Sequence, residues 1–541
     1  MRVKFLLNQV ANPFSITINP LFLFIKTYYD MYGLDKSIEW LRCEHVIFHD
    51  VDTQAQMVVN EQPDVVGLSV FIWNDSYQFE LAKKIKSLDP NIVIVLGGPQ
   101  LDAHKNSQFF HAHPYVDYVC YGDGERAFQL LIDKISNLSS EPLVNMVENK
   151  NQQAIVHPYE LLSCQEYFDT SAILAQKDLL IQTIDYLEQH NIKKSQLYIS
   201  VEFARGCMYS CTFCDWSQNL TKKVKRRGHN WKAEIDLIHE LDIKMRETDA
   251  NFGQWKQDIE IFDYAISLYD PNRNFKFDVS NTSKLNKDAT FHIMTQQALI
   301  YDALAIVSIQ DFNPEVLSAI NRPGLSEDQQ IDFIKRLIST LGEKARNVYT
   351  QIIVGLPGQT YDTIKDTMIK TLNIGVQNHM LYPFAYLINS PAADPVYEKI
   401  HGLKWMKTVA INGYYRDLDF DQVGVTADNI EDIYKKAANN DLIDGQWASS
   451  TTIYQTRNMS FYDLICSHIF LTLTKQFQDK LVWKGATVDF NRLRNMLDSK
   501  VRQYADRYFE VHGPLIEKYN LFVLGIPELD SNKLLKVAAV I

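Results

Sequence analysis

Val201-Glu-Phe-Ala-Arg-Gly-Cys207-Met-Tyr-Ser-Cys211-Thr-Phe-Cys214-Asp-Trp-Ser217 is the stretch from which the rest of the chain is read. Three cysteines at Cys-x3-Cys-x2-Cys spacing follow an apolar segment, 197–203, that reads as a strand. A glycine precedes the first cysteine and Phe213 precedes the third. Three thiolates can hold three irons of a cubane cluster and leave the fourth iron open to a ligand that is not protein. A zinc knuckle is the competing reading. Structural zinc takes four closed ligands, and His229 is the nearest downstream histidine to complete Cys207, Cys211 and Cys214. Zinc would account for the cysteines but not for the strands around them.

Composition bounds the alternatives. With 541 residues, 46% of them hydrophobic, the chain has material for more than one core, roughly two to four domains by length. A net charge of -12 and a pI near 5.6 predict no general attraction to nucleic acid or to an anionic membrane. The N-terminal apolar run is too short for a signal peptide, and no run reaches the roughly 20 residues of a membrane-spanning helix. Seven cysteines are too few for a disulfide scaffold at this length and suit a reducing cytoplasm. Cys43, Cys120, Cys164 and Cys466 are scattered and read as inert core thiols.

Before the cysteines, strand and helix signals alternate, which predicts a mostly parallel, doubly wound (Rossmann-like) α/β domain over residues 1–145. Strands are expected at 3–7, 46–48, 64–70, 92–96 and 116–120, with helices at 77–88 and 127–135 between them. In such sheets ligands bind at the carboxyl ends of the strands. Those ends carry Ser69-Val-Phe71-Ile-Trp73-Asn74, Gly97-Gly98-Pro99 and Tyr121-Gly122-Asp-Gly124-Glu125. Residues 146–195 read as a connector, polar and turn-rich at 141–153 and helical at 179–189.

From 196 to 395, six strand–helix units are expected, with strands at 197–203, 259–264, 275–281, 303–310, 348–356 and 381–388. Helices at 233–246, 328–341 and 361–372 fill the gaps. Such a run predicts a partial (β/α)6 barrel of TIM type, with its chemistry at the carboxyl ends of the strands. Residues 396–541 read as a mixed, mainly helical region with helices at 460–473 and 490–507 and a strand at 520–525. Its position suggests closure of the barrel mouth around a substrate. The acidic–aromatic stretch 414–421 reads as a solvated loop, and the basic run Lys222-Lys-Val-Lys-Arg-Arg227 as a solvated face, with help in docking an anionic group or a reductase as the alternative.

The cysteine motif resembles that of the radical S-adenosylmethionine enzymes. The resemblance continues through Ile259-Glu-Ile-Phe-Asp263, Val279-Ser280-Asn281, Val307-Ser308-Ile-Gln310-Asp311, Asn321-Arg322 and Ile353-Val-Gly355-Leu356-Pro357-Gly358. It implies a [4Fe-4S] cluster on Cys207, Cys211 and Cys214. It implies S-adenosylmethionine held by Phe213, Asp263, Ser280, Asn281, Ser308, Gln310, Gly355, Leu356 and Pro357, with Asp263 at the amino group. Reductive cleavage would then release a 5′-deoxyadenosyl radical, fed by an electron donor such as flavodoxin or ferredoxin.

The segment 64–125 resembles the cobalamin-binding domain joined to many of these enzymes. That implies cobalamin over Ser69, Phe71, Trp73, Asn74, Gly97, Gly98, Pro99, Gly122, Gly124 and Glu125. The Asp-x-His-x-x-Gly that supplies a lower axial histidine is missing after the first strand, and His104 reads as a loop residue. Together the two resemblances imply methylation of an unactivated carbon on a small-molecule or peptide substrate. Cobalamin-dependent rearrangement or cyclisation, or a non-catalytic cobalamin- or cluster-binding regulator, are the alternatives.

Overall fold

The computed structural model describes residues 1–9, 15–217, 224–280, 282, 288–322, 324, 326–411, 428–439, 447–481 and 489–524. The stretch 414–421, Lys222 and Lys223, Asn281 and the last residue of the expected 520–525 strand lie outside them. The chain divides into two compact units. The first comprises residues 1–208, 218–281 and 387–389, and the second comprises 209–217, 282–386 and 390–541.

In the first unit, an eight-stranded sheet begins with Arg2–Gln9 at its centre. Glu44–Val46 pairs parallel on one side and Val65–Ser69, Val93–Gly97 and Tyr118–Cys120 follow on the other, also parallel. This is the doubly wound order in which chain direction reverses beside the first strand. Strand side chains alternate between faces. Thus Leu6, Leu68 and Leu96 join Leu81 and Ile85 of the helix Asp75–Leu88 in one core. Phe5 instead stacks among Phe22, Trp40 and Phe128 on the other face. Both faces are therefore covered by apolar contact.

Part of the expected connector belongs to this sheet. Met146–Lys150 and Gln153–Val156 form an antiparallel hairpin on the Tyr118–Cys120 edge. Asn151 and Gln152 both take positive φ, 54° and 66°, at the hairpin turn, where Asn is tolerated better than most residues. The polar composition marked the turn correctly but hid the strands on either side of it.

A second sheet of the first unit has the order Phe277–Asp278, Lys244–Glu247, Leu197–Val201 and Ile16–Ile18, all parallel. Two corrections follow. Residues 259–264 are not a strand but part of the helix Lys256–Ser267, with Ile261, Phe262 and Ala265 buried and Asp263 exposed. Trp255 and Asp258 cap that helix, and Asp258 accepts from Gly253 and Trp255 amides at 3.0 Å each. The strand in this place is Lys244–Glu247, at the end of the stretch expected to be helical; the helix Trp231–Leu241 stops at Asp242, which is left-handed with φ 57°.

The second unit holds three parallel strands, Ala305–Gln310, Val348–Val354 and Asn378–Pro383, in sequence order. Six parallel strands thus represent the expected (β/α)6 series, three in each unit. Helices Glu327–Leu341 and Tyr361–Asn373 cover the second set, and a large core joins Val307, Val354, Leu356, Ile364, Ile465 and Phe470. The C-terminal region adds the helices Phe461–Leu481 and Phe490–Tyr519. It also adds a small sheet in which Lys404–Ile411 lies between Trp447–Gln455 and Leu521–Leu524. No helix among the described residues is long and apolar enough to cross a membrane.

Candidate functional site

Cys207 follows the strand Leu197–Val201 in the first unit. Its Sγ accepts a hydrogen bond from Asn251 Nδ2 at 3.3 Å. Asn251 comes from the end of the Lys244–Glu247 strand, the one the sequence reading missed. Cys211 and Cys214 belong to the second unit. Their loop is held by Thr212, whose amide donates to the Ile320 carbonyl at 2.9 Å and whose carbonyl accepts from the Ala392 amide at 2.9 Å. Asn321 Nδ2 donates to the Ser210 carbonyl at 3.0 Å. Arg322 donates to the Ser308 carbonyl. Burial lowers the Arg322 pKa, and the Cys211 and Cys214 thiols beside it act the other way. Donors and a cation next to cysteine sulfurs stabilise the thiolate form that ligates metal.

None of the seven cysteines is in a disulfide. Among the described residues, no three His, Cys, Asp or Glu side chains converge on one ion. A cubane does not ask for that, since each thiolate takes a different iron. A tetrahedral zinc does ask for it. His229 is turned elsewhere, 3.3 Å from Glu234 and stacked parallel to Phe203. Three thiolates suit a cluster with one open iron, and the histidine that a zinc knuckle would need is held against Glu234 and Phe203.

The remaining strand ends can be taken in turn. Glu247, at the end of Lys244–Glu247, accepts from the Ser280 amide at 2.9 Å and so ties that strand to the next. Asp249 accepts from the Phe203 amide at 2.8 Å, while its other oxygen is buried without a hydrogen-bond partner. Burial pushes the Asp249 carboxyl up to about 8. Asp263, exposed on a helix, is at no strand end. The missed signal was Thr248-Asp249-Ala-Asn251, a polar turn after a short charged strand.

In the second unit Gln310 ends its strand with φ 64°, a conformation that costs a residue with a Cβ and concentrates at functional sites. Its Oε1 is buried and unbonded. Gly355 has φ 94°, and a Cβ there would come 2.3 Å from Ile453. Gln359 holds the Gly355–Gly358 turn. Its Oε1 accepts from the Gly355 and Leu356 amides at 2.8 Å each, and its Nε2 donates to Asp311 at 2.6 Å and to the Ile353 carbonyl at 3.0 Å. Leu356 and Pro357 are buried, Phe213 is partly buried against the unit's core, and the Ser308 hydroxyl donates to Gln351.

At the carboxyl edge of the first sheet, Trp73 is 46% exposed and stacks on Phe71 at 4.6 Å with 7° between the planes. Phe71 beneath it is half-buried. Ser69 Oγ is buried without a partner. Gly98 has φ 113° and lies so close to Val70 that a Cβ would meet its carbonyl at 2.4 Å, whereas a Cβ on Gly97 would meet nothing nearer than Cys120 at 3.9 Å. The edge therefore offers an open cradle with an unsatisfied hydroxyl, which fits a bound group. The loop carrying Pro99 is tied down by Asn389, which donates to the Pro99 and Leu101 carbonyls at 2.8 Å each.

Two of the expected cobalamin residues have inward roles. Asn74 donates to the carbonyls of Leu7, Asn8 and Ser69 and accepts from the Phe71 amide at 2.7 Å, so it builds the loop. Glu125, next to Gly124 and three residues beyond the left-handed Gly122 (φ 73°), receives Arg205 at 2.8 Å and Tyr167 at 3.0 Å. His104 stacks on Tyr121 at 4.9 Å.

The basic run is not a solvated face where it is described. Arg226 pairs with Asp258 at 2.8 Å, and Arg227, with its side chain 2% exposed, pairs with Glu202 at 2.7 Å. Arg227 also lies over the rings of Phe24, Tyr167 and Phe168.

Comparison with known proteins agrees with this picture. The B12 binding domain family matches residues 35–132. A cobalamin-dependent radical SAM methyltransferase, TokK, from Streptomyces tokunonensis is 29% identical over 63% of this chain and 50% of its own length. The 2-(S-pantetheinyl)-carbapenam-3-carboxylate methyltransferase of Streptantibioticus cattleyicolor is 29% identical over 63% of this chain and 49% of its own. The chain spans about half the length of these curated relatives. Among solved structures, the radical S-adenosylmethionine methyltransferase TsrM from Kitasatospora setae, with cobalamin and a [4Fe-4S] cluster bound, superposes with a TM-score of 0.55. It has 14% identity over 75% of this chain and 77% of that one. The cobalamin-dependent S-adenosylmethionine radical enzyme OxsB gives 0.53 and 14%, over 100% of this chain and 70% of that one. At such identity these two likenesses speak for the fold alone. The chain thus carries a B12-binding domain ahead of the cysteine motif, and the proteins it is similar to include cobalamin-dependent radical S-adenosylmethionine enzymes.

Proposed function

We propose that this protein is a radical S-adenosylmethionine methyltransferase that uses cobalamin to methylate an unactivated carbon of a small-molecule or peptide substrate. The observation that carries the reading is a B12-binding domain followed by three cysteines outside any disulfide, with Asn251 donating to the Cys207 sulfur and Arg322 beside the Cys211 and Cys214 thiols. Cys207, Cys211 and Cys214 would hold a [4Fe-4S] cluster. When bound, that cluster with S-adenosylmethionine supplies one-electron cleavage to a deoxyadenosyl radical, and cobalamin supplies the methyl group.

The chain's own residues provide the frame for those groups. Asp249, in the turn after Lys244–Glu247 and with one carboxyl oxygen lacking a hydrogen-bond partner, takes the role expected of Asp263. Gln310, Ser308, Ser280 and Asn281 supply polar groups to the sugar and methionine parts. Phe213 and the Gly355-Leu356-Pro357 turn supply a close backbone for the adenine. At the other site Phe71 and Trp73 offer an aromatic floor, and Ser69, Gly97, Gly98, Pro99, Gly122 and Gly124 line the edge. A flavodoxin or ferredoxin would deliver the electron, in a cytoplasmic setting.

Anaerobic reconstitution with iron and sulfide, followed by S-adenosylmethionine with a labelled methyl group, cobalamin and a strong reductant, tests the reading. The expected result is about four irons per chain, 5′-deoxyadenosine release, and label in the product once a substrate is found. One zinc per chain and no iron would overturn it. Deoxyadenosine with no methyl transfer to any accepted substrate would favour rearrangement instead. Cys211→Ala is expected to abolish deoxyadenosine while leaving cobalamin binding intact.

A further inference from the structure

Arg205 lies two residues before Cys207, in the short strand Ala204–Arg205 that pairs antiparallel with Lys225–Arg226. Its guanidinium reaches three carboxylates. Nη2 is 2.8 Å from Glu125 and Nη1 is 3.2 Å from Asp123, which lie in the first turn and at the N-cap of the helix Gly124–Ile135 that follows Tyr118–Cys120 at the glycine-bearing edge of the first sheet. Nε is 2.8 Å from Glu202, which directly follows the strand leading to the cysteines. The group is braced from outside. Tyr167 donates to Glu125 at 3.0 Å and Arg227 holds Glu202 at 2.7 Å. The partner side chains are mostly buried, with Glu125 at 3% and Glu202 at 12% exposure.

A planar fork with several donors fixes geometry in a way that a point charge on a flexible stem does not. One side chain therefore spans the turn that edges the cobalamin cradle and the backbone that carries the first cluster cysteine, all within the first unit. We propose that Arg205 is a positioning residue that couples the two cofactor sites. Anything that orders the Asp123–Glu125 turn also holds the Cys207 arm, and the reverse. Such coupling is reciprocal by thermodynamic necessity, so cobalamin and cluster tighten each other by the same factor. The inference rests on the two-cofactor reading above.

The test measures the dissociation constant of hydroxocobalamin with the full-length protein, once with the cluster reconstituted and once after iron removal. The electron paramagnetic resonance spectrum of the reduced cluster is recorded with and without cobalamin. Wild type is expected to bind cobalamin about five-fold or more tightly with the cluster present, and to show a cobalamin-dependent change in the spectrum. Arg205→Met is expected to bring the ratio within twofold of one and to remove the spectral change, and Arg205→Lys to restore only part of both. If Arg205→Met does not fold, Arg205→Met/Glu125→Gln, which also removes a stranded carboxylate, takes its place, with Arg205→Lys as its companion. A wild type that takes up no iron or no cobalamin overturns the functional reading and this inference with it. A wild type that binds both without coupling, or variants that keep the wild-type ratio, overturn the inference alone.

Discussion

Two loops at strand ends, one in each unit, are held in opposite ways. The Glu202–Arg205 segment is fixed by charge: two arginines and three carboxylates in partly dry surroundings. The Gly355–Gly358 turn is fixed by one neutral amide, whose oxygen takes two backbone N–H groups and whose nitrogen takes an acid and a carbonyl. Buried charges are stable only as a complete set, because each removal strands a partner. A neutral network loses less per bond and does not respond to pH unless an acid is part of it. The first loop is therefore the brittle one.

The comparison is broken most sharply at Glu202. Arg205 and Arg227 outweigh the burial that would raise its carboxyl and hold it at about 2, against an ordinary 4.5. A depressed carboxylate contributes its full stability above the unfolded value near 4.5 and loses it as pH falls towards 2. Glu202→Gln is expected to cost about 3 kcal/mol at pH 7 and to flatten the acid limb of stability, read by denaturant unfolding from pH 7 to 3. Wild-type behaviour on that limb in the variant would mean that the ion network carries little of the stability.

Gln359→Leu should come next, at roughly 2 kcal/mol. It strands the Gly355 and Leu356 amides and one oxygen of Asp311, and it should weaken S-adenosylmethionine binding while leaving cobalamin binding unchanged. A loss as large as that of Glu202→Gln would erase the contrast between the two loops.

Asp249→Asn goes in the other direction. Burial holds the carboxyl at about 8, above the unfolded value, so its contribution is complete below the unfolded pKa and is lost as pH rises through 8. Asparagine mimics the protonated form at every pH. The variant is expected to melt several degrees higher than wild type at pH 8, with a smaller gain at pH 5, and to bind S-adenosylmethionine more weakly. Equal melting at both pH values would show that the acid is not held protonated.

The smallest effect is expected at Asp263, exposed on its helix. Asp263→Asn should change stability by less than about 0.5 kcal/mol and leave S-adenosylmethionine binding as it was. A large loss of binding would restore the role that the sequence reading gave it.

The sequence by itself determined the features that are local. The Cys-x3-Cys-x2-Cys spacing, the β-branched runs at 65–69 and 93–97, and the glycines after them need no distant partner to be recognised. Helices such as Glu327–Leu341, with Ser326 as its cap, are also written in nearby residues. Tertiary structure decided the rest. Lys244–Glu247 is short and charged at three of its four positions, and it is a strand because Leu197–Val201 and Phe277–Asp278 lie on either side of it. Residues 259–264 alternate like a strand, yet the capped helix buries Ile261, Phe262 and Ala265 together. Arg205 and Arg227 look like surface charges in the sequence. Their partners Asp123, Glu125 and Glu202 are drawn in partly from far along the chain, and only folding makes them one network. Burial is a property of all the neighbours at once, and a charge becomes an anchor only when its counter-charges are buried with it.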